Sequence, residues 1–158
     1  MKRVATIGVY GWALDEWLAA LEDTGVVLVV DIRQRRGVRG REYAWANAKR
    51  LEAALEDAGI SYRHEPSLAP TTEIRQVQYE EDRRQGVGKR SRTVASPEYV
   101  ERYGREILDR ADLDGFVASL PEHGALALMC VEREPELCHR SLVAERLAER
   151  FGVDVRHL

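Results

Sequence analysis

This chain of 158 residues contains little cysteine, and its apolar runs are short. Two cysteines are too few for a disulfide scaffold, so in a reducing compartment both would be thiols. The apolar runs are strand-sized, well below the roughly 20 residues that a membrane helix needs, and the N-terminus lacks an apolar signal core. The sequence therefore predicts a cytoplasmic protein without a membrane segment.

Several motifs that identify a chemistry are also absent. The sequence has no Gly-Lys-Ser or Gly-Lys-Thr phosphate loop, no Gly-x-Gly-x-x-Gly, no Gly-x-Ser-x-Gly elbow and no His-Glu-x-x-His. These absences argue against the corresponding nucleotide-binding, hydrolase and zinc-protease classes. We predict no cofactor.

The positive charge is concentrated in two segments of an otherwise acidic chain. The net charge is −3, yet 33–41 carries five arginines and no acid, and 83–92 carries five further bases and no acid. Removing these ten from the 24 bases leaves 14 against 27 acids, or −13, on the rest of the chain. Such clustering indicates a local field for an anion, although two solvated arginine-rich loops would give the same pattern.

Strand-like and helix-like segments alternate along the chain. Short apolar runs predict strands, the clearest being the β-branched run Val26-Val-Leu-Val-Val30, which is typical of a central parallel strand. The other predicted strands are 3–9, 60–64, 125–129 and 153–157, and helices are predicted near 14–21, 45–58, 97–110, 112–120 and 141–151. The alternation predicts a three-layer α/β/α fold with a mostly parallel sheet of about five strands, Rossmann-like in class.

The length predicts a single α/β domain over 1–158, interrupted by an irregular charged insertion at about 66–96. Proline and glycine punctuate this insertion, and one exposed helix is expected within it, near Ile74 to Arg84. A connection of this length is usually functional or mobile.

The chemistry-bearing residues cluster where the predicted strand at 125–129 meets the last helix. Both cysteines, Cys130 and Cys138, lie here, and His139 and Arg140 follow directly. Because parallel strands end at one edge of a sheet, Tyr10, Asp31 and Arg33 could converge on this segment. Arg140 and the first backbone N–H groups of the helix would then form an anion site, with Arg33 closing the other side.

Other interpretations of these residues remain open. Asp31 and Arg140 could form a structural salt bridge, both cysteines could be packing residues, and Cys138 could be an activated thiol beside His139. A metal site is disfavoured, because the cysteine spacing exceeds the usual knuckle and adjacent Cys-His side chains rarely point together. We therefore predict no metal ligands.

The same segment resembles a known family, the domain-of-unknown-function 488 family, over nearly the whole chain. The most specific block comprises Ala127-Leu-Met-Cys-Val-Glu132, Pro135, Cys138-His-Arg140 and Val155-Arg-His157. Four further elements match in order and spacing: Thr6-Ile-Gly8, Val30-Asp-Ile-Arg33, Val38-Arg39 with Tyr43, and Gly59-Ile-Ser-Tyr62. The resemblance implies an α/β domain without an established reaction, and it favours as site residues Asp31, Arg33, Cys130, Glu132, Cys138, His139 and Arg140.

These observations predict an anion site for a phosphate, nucleotide or nucleic acid at the carboxyl edge of the sheet, in an enzyme acting on a phosphate-bearing substrate. The predicted catalytic residues are Asp31, Glu132, Cys138 and His139, and the predicted ligand-binding residues are Tyr10, Arg33, Arg39, Cys130 and Arg140. One alternative is a non-catalytic nucleic-acid-binding module that uses the two arginine-rich segments. Another is a thiol redox protein with a Cys130/Cys138 pair.

Overall fold

The computed structural model describes residues 2–88, 92 and 95–158. Its sheet has five strands, all parallel, in the order β3-β2-β4-β1-β5. The strands are β1 Arg3–Ile7, β2 Val26–Asp31, β3 Ser61–His64, β4 Ala125–Met129 and β5 Asp154–His157. The predicted three-layer α/β/α fold is confirmed, but β4 separates β1 from β2, which are neighbours in the usual dinucleotide-binding order.

Six α-helices connect the strands within the described residues. They are α1 Leu14–Asp23, α2 Ala48–Asp57, α3 Thr72–Gln85, α4 Pro97–Tyr103, α5 Leu113–Ala118 and α6 His139–Phe151. A π-helical turn, Gly104–Leu108, continues α4, and single 3-10 turns precede α2, α3 and α6. Within the described part of the chain, no helix has the length and apolar character required to cross a bilayer.

The sheet separates two apolar layers. Trp17 of α1 and Leu51 of α2 pack with Ile7 and Val29 on one face. Helices α3 to α6 pack on the other face, where the buried side chains include Ile74, Tyr103, Leu113 and Val143. All five residues of β4 are buried, because this strand lies at the centre of the sheet with helices on both sides.

The helix predicted near Ile74 to Arg84 is present as α3, but it is not simply exposed. The Thr71 hydroxyl accepts the Ile74 backbone N–H at its start, and Gly86 ends it in a left-handed conformation with φ 69°. One face of α3 buries Ile74, Val77, Gln78 and Asp82. Part of the segment after α3, residues 89–91 and 93–94, lies outside the described residues.

Candidate functional site: a cleft at the carboxyl edge of the sheet

The carboxyl ends of β1, β2 and β4 lie side by side. Asp31 at the end of β2 is opposite Met129 at the end of β4, and Ile7 of β1 is opposite the same methionine. The chain leaves β2 towards β3 and leaves β4 towards β5, which are at opposite ends of the sheet. Neighbouring strands whose connections diverge in this way open a crevice for ligands.

A cleft of about 850 Å³ occupies this position. Seven of the nine residues predicted for the site line it, and Asp31 and Arg140 do not. The seven are Tyr10, Arg33, Arg39, Cys130, Glu132, Cys138 and His139. Residues that are up to 129 positions apart in sequence, Tyr10 and His139, thus share one wall because the parallel strands end together.

Asp31 is fully buried and supports the loop that follows β2. Its carboxylate accepts hydrogen bonds from Arg33 through the backbone N (3.1 Å), Nε (2.9 Å) and Nη2 (2.8 Å), and from the Tyr62 hydroxyl (2.6 Å). Burial, together with the hydrogen bond to Asp31, raises the pKa of Tyr62 to about 12, so the hydroxyl remains a donor at neutral pH. Asp31 therefore orients its neighbours from within the core.

The Arg33 guanidinium has little freedom to contact a ligand. It is 3% exposed, and besides Asp31 it donates from Nη1 to the Ala46 carbonyl at 2.9 Å. The charge of Arg33 is largely balanced by the buried carboxylate of Asp31. Arg33 thus forms part of the cleft wall and fixes the start of the loop that carries Arg35 and Arg39.

Arg140 is fully buried and holds the loop that follows β4. Its Nη1 donates to the Glu132 carbonyl (2.5 Å), its Nη2 to the Arg133 carbonyl (2.9 Å) and its Nε to the Thr6 hydroxyl (3.3 Å). Burial lowers the pKa of Arg140 to about 10, which still leaves it protonated at neutral pH. This arrangement differs from the anion-facing position expected from the sequence.

Gly8 is required by the same loop. A Cβ atom at this position would lie 1.9 Å from the Glu132 carbonyl oxygen and 3.3 Å from Arg140 Nη1. The loop after β4 can therefore approach β1 only because residue 8 has no side chain. Gly8 and Arg140 together set where the Glu132 side chain emerges.

The Glu132 carboxylate is held by an arginine that the sequence did not single out. Arg92 Nη1 donates to Glu132 Oε1 at 3.1 Å, while its Nε and Nη2 donate to the Asp82 carboxylate at 2.9 and 2.6 Å. Burial alone would lower the pKa of Arg92, but its hydrogen bonds to the Asp82 carboxylate and the negative charges of Glu132 and Asp82 outweigh burial, and the pKa is raised. Arg92 thereby connects α3 to the loop after β4.

The two cysteines and His139 form a compact group on the cleft wall. Cys130 and Cys138 are joined by a disulfide bond, and their Cα atoms are 7.2 Å apart. His139 Nδ1 lies 3.6 Å from the Cys138 sulfur, and His139 Nε2 lies 2.8 Å from the Ile32 carbonyl oxygen. Since a carbonyl only accepts, this contact assigns the proton of the neutral ring to Nε2 and leaves a lone pair on Nδ1.

Two further arginines line the cleft, Arg35 from the loop after β2 and Arg75 from α3. Arg35 is exposed in the loop after β2, and Arg75 is half-buried on α3, where it donates to the Tyr79 hydroxyl at 2.6 Å. The sequence pointed to Arg35 only as part of a basic segment, and it missed Arg75. The polar positions 75, 78, 79 and 82 of α3 recur at helical spacing, and this periodicity is the signal that could have identified the face.

The comparisons with known proteins give one match. The model of the family DUF488, described as a domain of unknown function, matches residues 13–147, which is most of the chain. No curated protein and no solved structure matches the sequence.

Proposed function

We propose that this chain, which belongs to the DUF488 family, binds a small phosphate-bearing molecule in the carboxyl-edge cleft. The observation that carries the proposal is the charge of the lining. Five arginines line the cleft, against a single carboxylate, that of Glu132, among the described residues. The arginines are Arg33, Arg35, Arg39, Arg75 and Arg92.

The five arginines do not contribute equally to the binding of an anion. Arg33 is paired with Asp31, and Arg92 is shared between Asp82 and Glu132, so both are largely neutralised. Arg35 and Arg39 are exposed where the loop after β2 lines the cleft, and Arg75 lines it from α3, half-buried, with its Nη1 donating to Gln34 Oε1 at 2.6 Å. We assign direct phosphate contact to these three, because a guanidinium forms charge-assisted, bidentate hydrogen bonds with phosphate oxygens.

The size of the cleft supports a nucleotide-sized ligand. A volume of about 850 Å³ lies in the range of small-molecule sites, roughly 300–1,000 Å³. Tyr10 and Tyr79 line the same cleft and offer aromatic surfaces beside the arginines. A ligand with a planar base and one or more phosphates would use both features.

The reactive groups we assign to this ligand are Cys138, His139 and Glu132. In the reduced protein, His139 Nδ1, 3.6 Å from the Cys138 sulfur, would accept the proton of the thiol, and Glu132 lines the cleft as a candidate acid or base. Asp31 supports the loop after β2, and Arg140 supports the loop after β4. We therefore give both residues positioning roles.

Binding can be tested by calorimetry with pyrophosphate and with nucleoside mono- and diphosphates. We expect Arg39→Ala to weaken the affinity for the tightest probe by about 10- to 100-fold, the effect of losing a charged hydrogen bond of about 1.5–3 kcal/mol. Arg50→Ala is the matched control, since Arg50 is an exposed arginine on α2 outside the cleft. Equal loss in both variants would show a nonspecific charge effect and would refute the site.

The salt dependence of binding, measured on the same protein, distinguishes this proposal from a nucleic-acid-binding module. A module would bind unrelated DNA or RNA with an affinity that falls steeply with salt, in proportion to the phosphates neutralised. A cleft for a small phosphate ligand predicts saturable 1:1 binding that long nucleic acid does not surpass. Tighter, salt-sensitive binding of nucleic acid would replace our proposal by the module.

A second candidate function is thiol redox chemistry, which the bonding contact between the sulfur atoms of Cys130 and Cys138 favours. With hydrogen peroxide as oxidant, two thiols would give one disulfide and the hydrogen peroxide would be reduced to two molecules of water. Mass spectrometry of the reduced chain after stoichiometric peroxide should show the loss of two hydrogen atoms, reversed by a dithiol. Sulfinic acid instead of a disulfide would exclude this function.

A further inference from the structure

We propose that the reduced Cys130–Cys138–His139 group is a site for a thiophilic divalent metal, of which Zn²⁺ is the best match. The two sulfur atoms and a ring nitrogen of His139 all lie within 4.8 Å of one another. Two thiolates and an imidazole are soft or borderline ligands, which favour zinc over magnesium or calcium. The site is separate from the arginines assigned to phosphate in the proposed function, and in the metal-bound form Cys138 and His139 would serve as metal ligands in place of nucleophile and base.

The spacing of two of the donors matches the expected geometry. With zinc–sulfur and zinc–nitrogen distances of about 2.3 and 2.05 Å, tetrahedral coordination places sulfur and nitrogen about 3.6 Å apart. The Cys138 sulfur and His139 Nδ1 are 3.6 Å apart. The separation of these two donor atoms therefore already matches the separation expected around a shared metal ion.

The backbone spacing of the cysteines is also compatible with a metal. Their Cα atoms are 7.2 Å apart, beyond the range of about 4.4–6.8 Å that disulfides usually span. Reduction by a dithiol breaks the sulfur–sulfur bond and gives two thiols, and metal binding then releases their protons to solvent. Such a backbone separation leaves room for an ion between the two sulfurs.

Neighbouring groups orient and stabilise the donors. The His139 Nε2–H donates to the Ile32 carbonyl at 2.8 Å, as the second ring nitrogen of a metal-bound histidine usually does, and this leaves Nδ1 as the donor. Arg140 Nη1 lies 3.6 Å from the Cys130 sulfur, where a guanidinium stabilises a thiolate. The Tyr103 ring packs edge-on against His139 with the ring centroids 5.5 Å apart, which restricts rotation of the imidazole.

The position of the group suggests what the metal would do. All three residues line the carboxyl-edge cleft, so a fourth coordination position would face the cleft. Three protein ligands with one position open to solvent or substrate are typical of catalytic rather than structural zinc sites. A metal held here would polarise a ligand oxygen or activate a water molecule beside the bound phosphate compound.

The test uses the full-length, dithiol-reduced, metal-free protein and Zn²⁺ alone. We expect native mass spectrometry to show one zinc per chain, and Co²⁺ to give a thiolate-to-cobalt charge-transfer band that zinc abolishes. Protein oxidised to the disulfide should bind neither ion. Absence of both signals from reduced protein whose two thiols are accessible would overturn the proposal and leave the cysteines as a redox or packing pair.

Single substitutions test which side chains bind the metal. Cys130→Ser, Cys138→Ser and His139→Ala should each weaken zinc binding by at least about 100-fold, since even the loss of an outer-shell partner costs 10- to 100-fold. His123→Ala is the matched control, because His123 is exposed just before the amino end of β4, at the opposite edge of the sheet. Zinc binding as tight as that of the wild-type protein in the Cys138→Ser or His139→Ala variant would refute the assignment. Should a variant fail to fold, the comparison of reduced with oxidised wild-type protein still decides.

Discussion

The two loops that form the cleft use arginine in opposite ways. The loop after β2 places Arg35 and Arg39 at the surface, whereas the arginine that serves the loop after β4, Arg140, is enclosed. Arg140 donates to two backbone carbonyls of its loop, whereas the side chain of Arg35 is exposed to solvent. The acceptors within reach therefore determine whether an arginine is buried to shape a loop or stays at the surface.

Replacing Arg140 should lower the free energy of unfolding more than any other substitution that tests this difference between the two loops. In Arg140→Met, the backbone carbonyls of Glu132 and Arg133 lose their hydrogen-bond donor. Because each buried unsatisfied group costs about 1–3 kcal/mol, we expect the free energy of unfolding to fall by about 2–4 kcal/mol. Urea unfolding measures this loss. Arg146→Met on the same helix removes only a surface ion pair with Asp109 and should cost less than about 1 kcal/mol.

An opposite result would reverse the roles of the loops. If Arg140→Met keeps its stability and loses phosphate binding, Arg140 faces the ligand and the loop needs no internal donor. The sequence-based expectation would then hold.

Tyr62→Phe should have an intermediate effect, on the loop after β2. The change removes the hydroxyl that donates to the Asp31 carboxylate, and loss of a hydrogen bond to a charged group costs about 1.5–3 kcal/mol. Because the pKa of Tyr62 is raised to about 12 from an ordinary value of 10, its contribution is fully present below pH 10. It is lost as the pH rises from 10 to 12, since the unfolded chain releases the proton first.

The check is the free energy of unfolding measured between pH 8 and pH 12. The wild-type protein should lose stability more steeply above pH 10 than Tyr62→Phe. Parallel curves for the two proteins would mean that the Tyr62 hydroxyl titrates in the folded state as it does in the unfolded chain.

Arg39→Ala should have the smallest effect on stability. Arg39 is exposed, and surface substitutions usually change the free energy of unfolding by no more than about 0.5 kcal/mol. Thermal unfolding without ligand should therefore match that of the wild type, although phosphate binding is weakened. A destabilisation above 1 kcal/mol would show that Arg39, like Arg140, supports its own loop, and the contrast between the loops would disappear.

Much of the fold could be predicted from the pattern of apolar residues. The five strands and the helices follow from hydrophobic periodicity, and the parallel arrangement follows from the continuous apolar runs of β2 and β4. The prediction for α3 was incomplete. Its charged sequence indicated exposure, but Asp82 and Gln78 are buried because Arg92, ten residues beyond Asp82, and the Ser96 backbone N–H supply their partners.

The candidate site shows the same limit. The predicted convergence of β1, β2 and β4 requires only that parallel strands end at one edge, so it could be foreseen. The partners of Arg140 could not, since they are backbone carbonyls and a hydroxyl 134 residues away. The sequence also disfavoured a metal site, because the two cysteines are widely spaced along the chain. That spacing carries no information on how the loop from Cys130 to Cys138 folds back, and the fold brings both cysteines and His139 together.

The sequence by itself determined the α/β class, the family and the edge of the sheet at which most of the predicted site residues meet, because the class and the edge depend on periodicity and strand direction. Only the tertiary structure decided which charged side chains are buried with partners inside the protein, as Asp31, Arg33 and Arg140 are, and which are exposed, as Arg35 and Arg39 are. The physical reason is that burial requires partners for every charge and polar group, and those partners come from distant elements and from the backbone. Arg35 and Arg140 are the same residue type, and their surroundings give them different tasks.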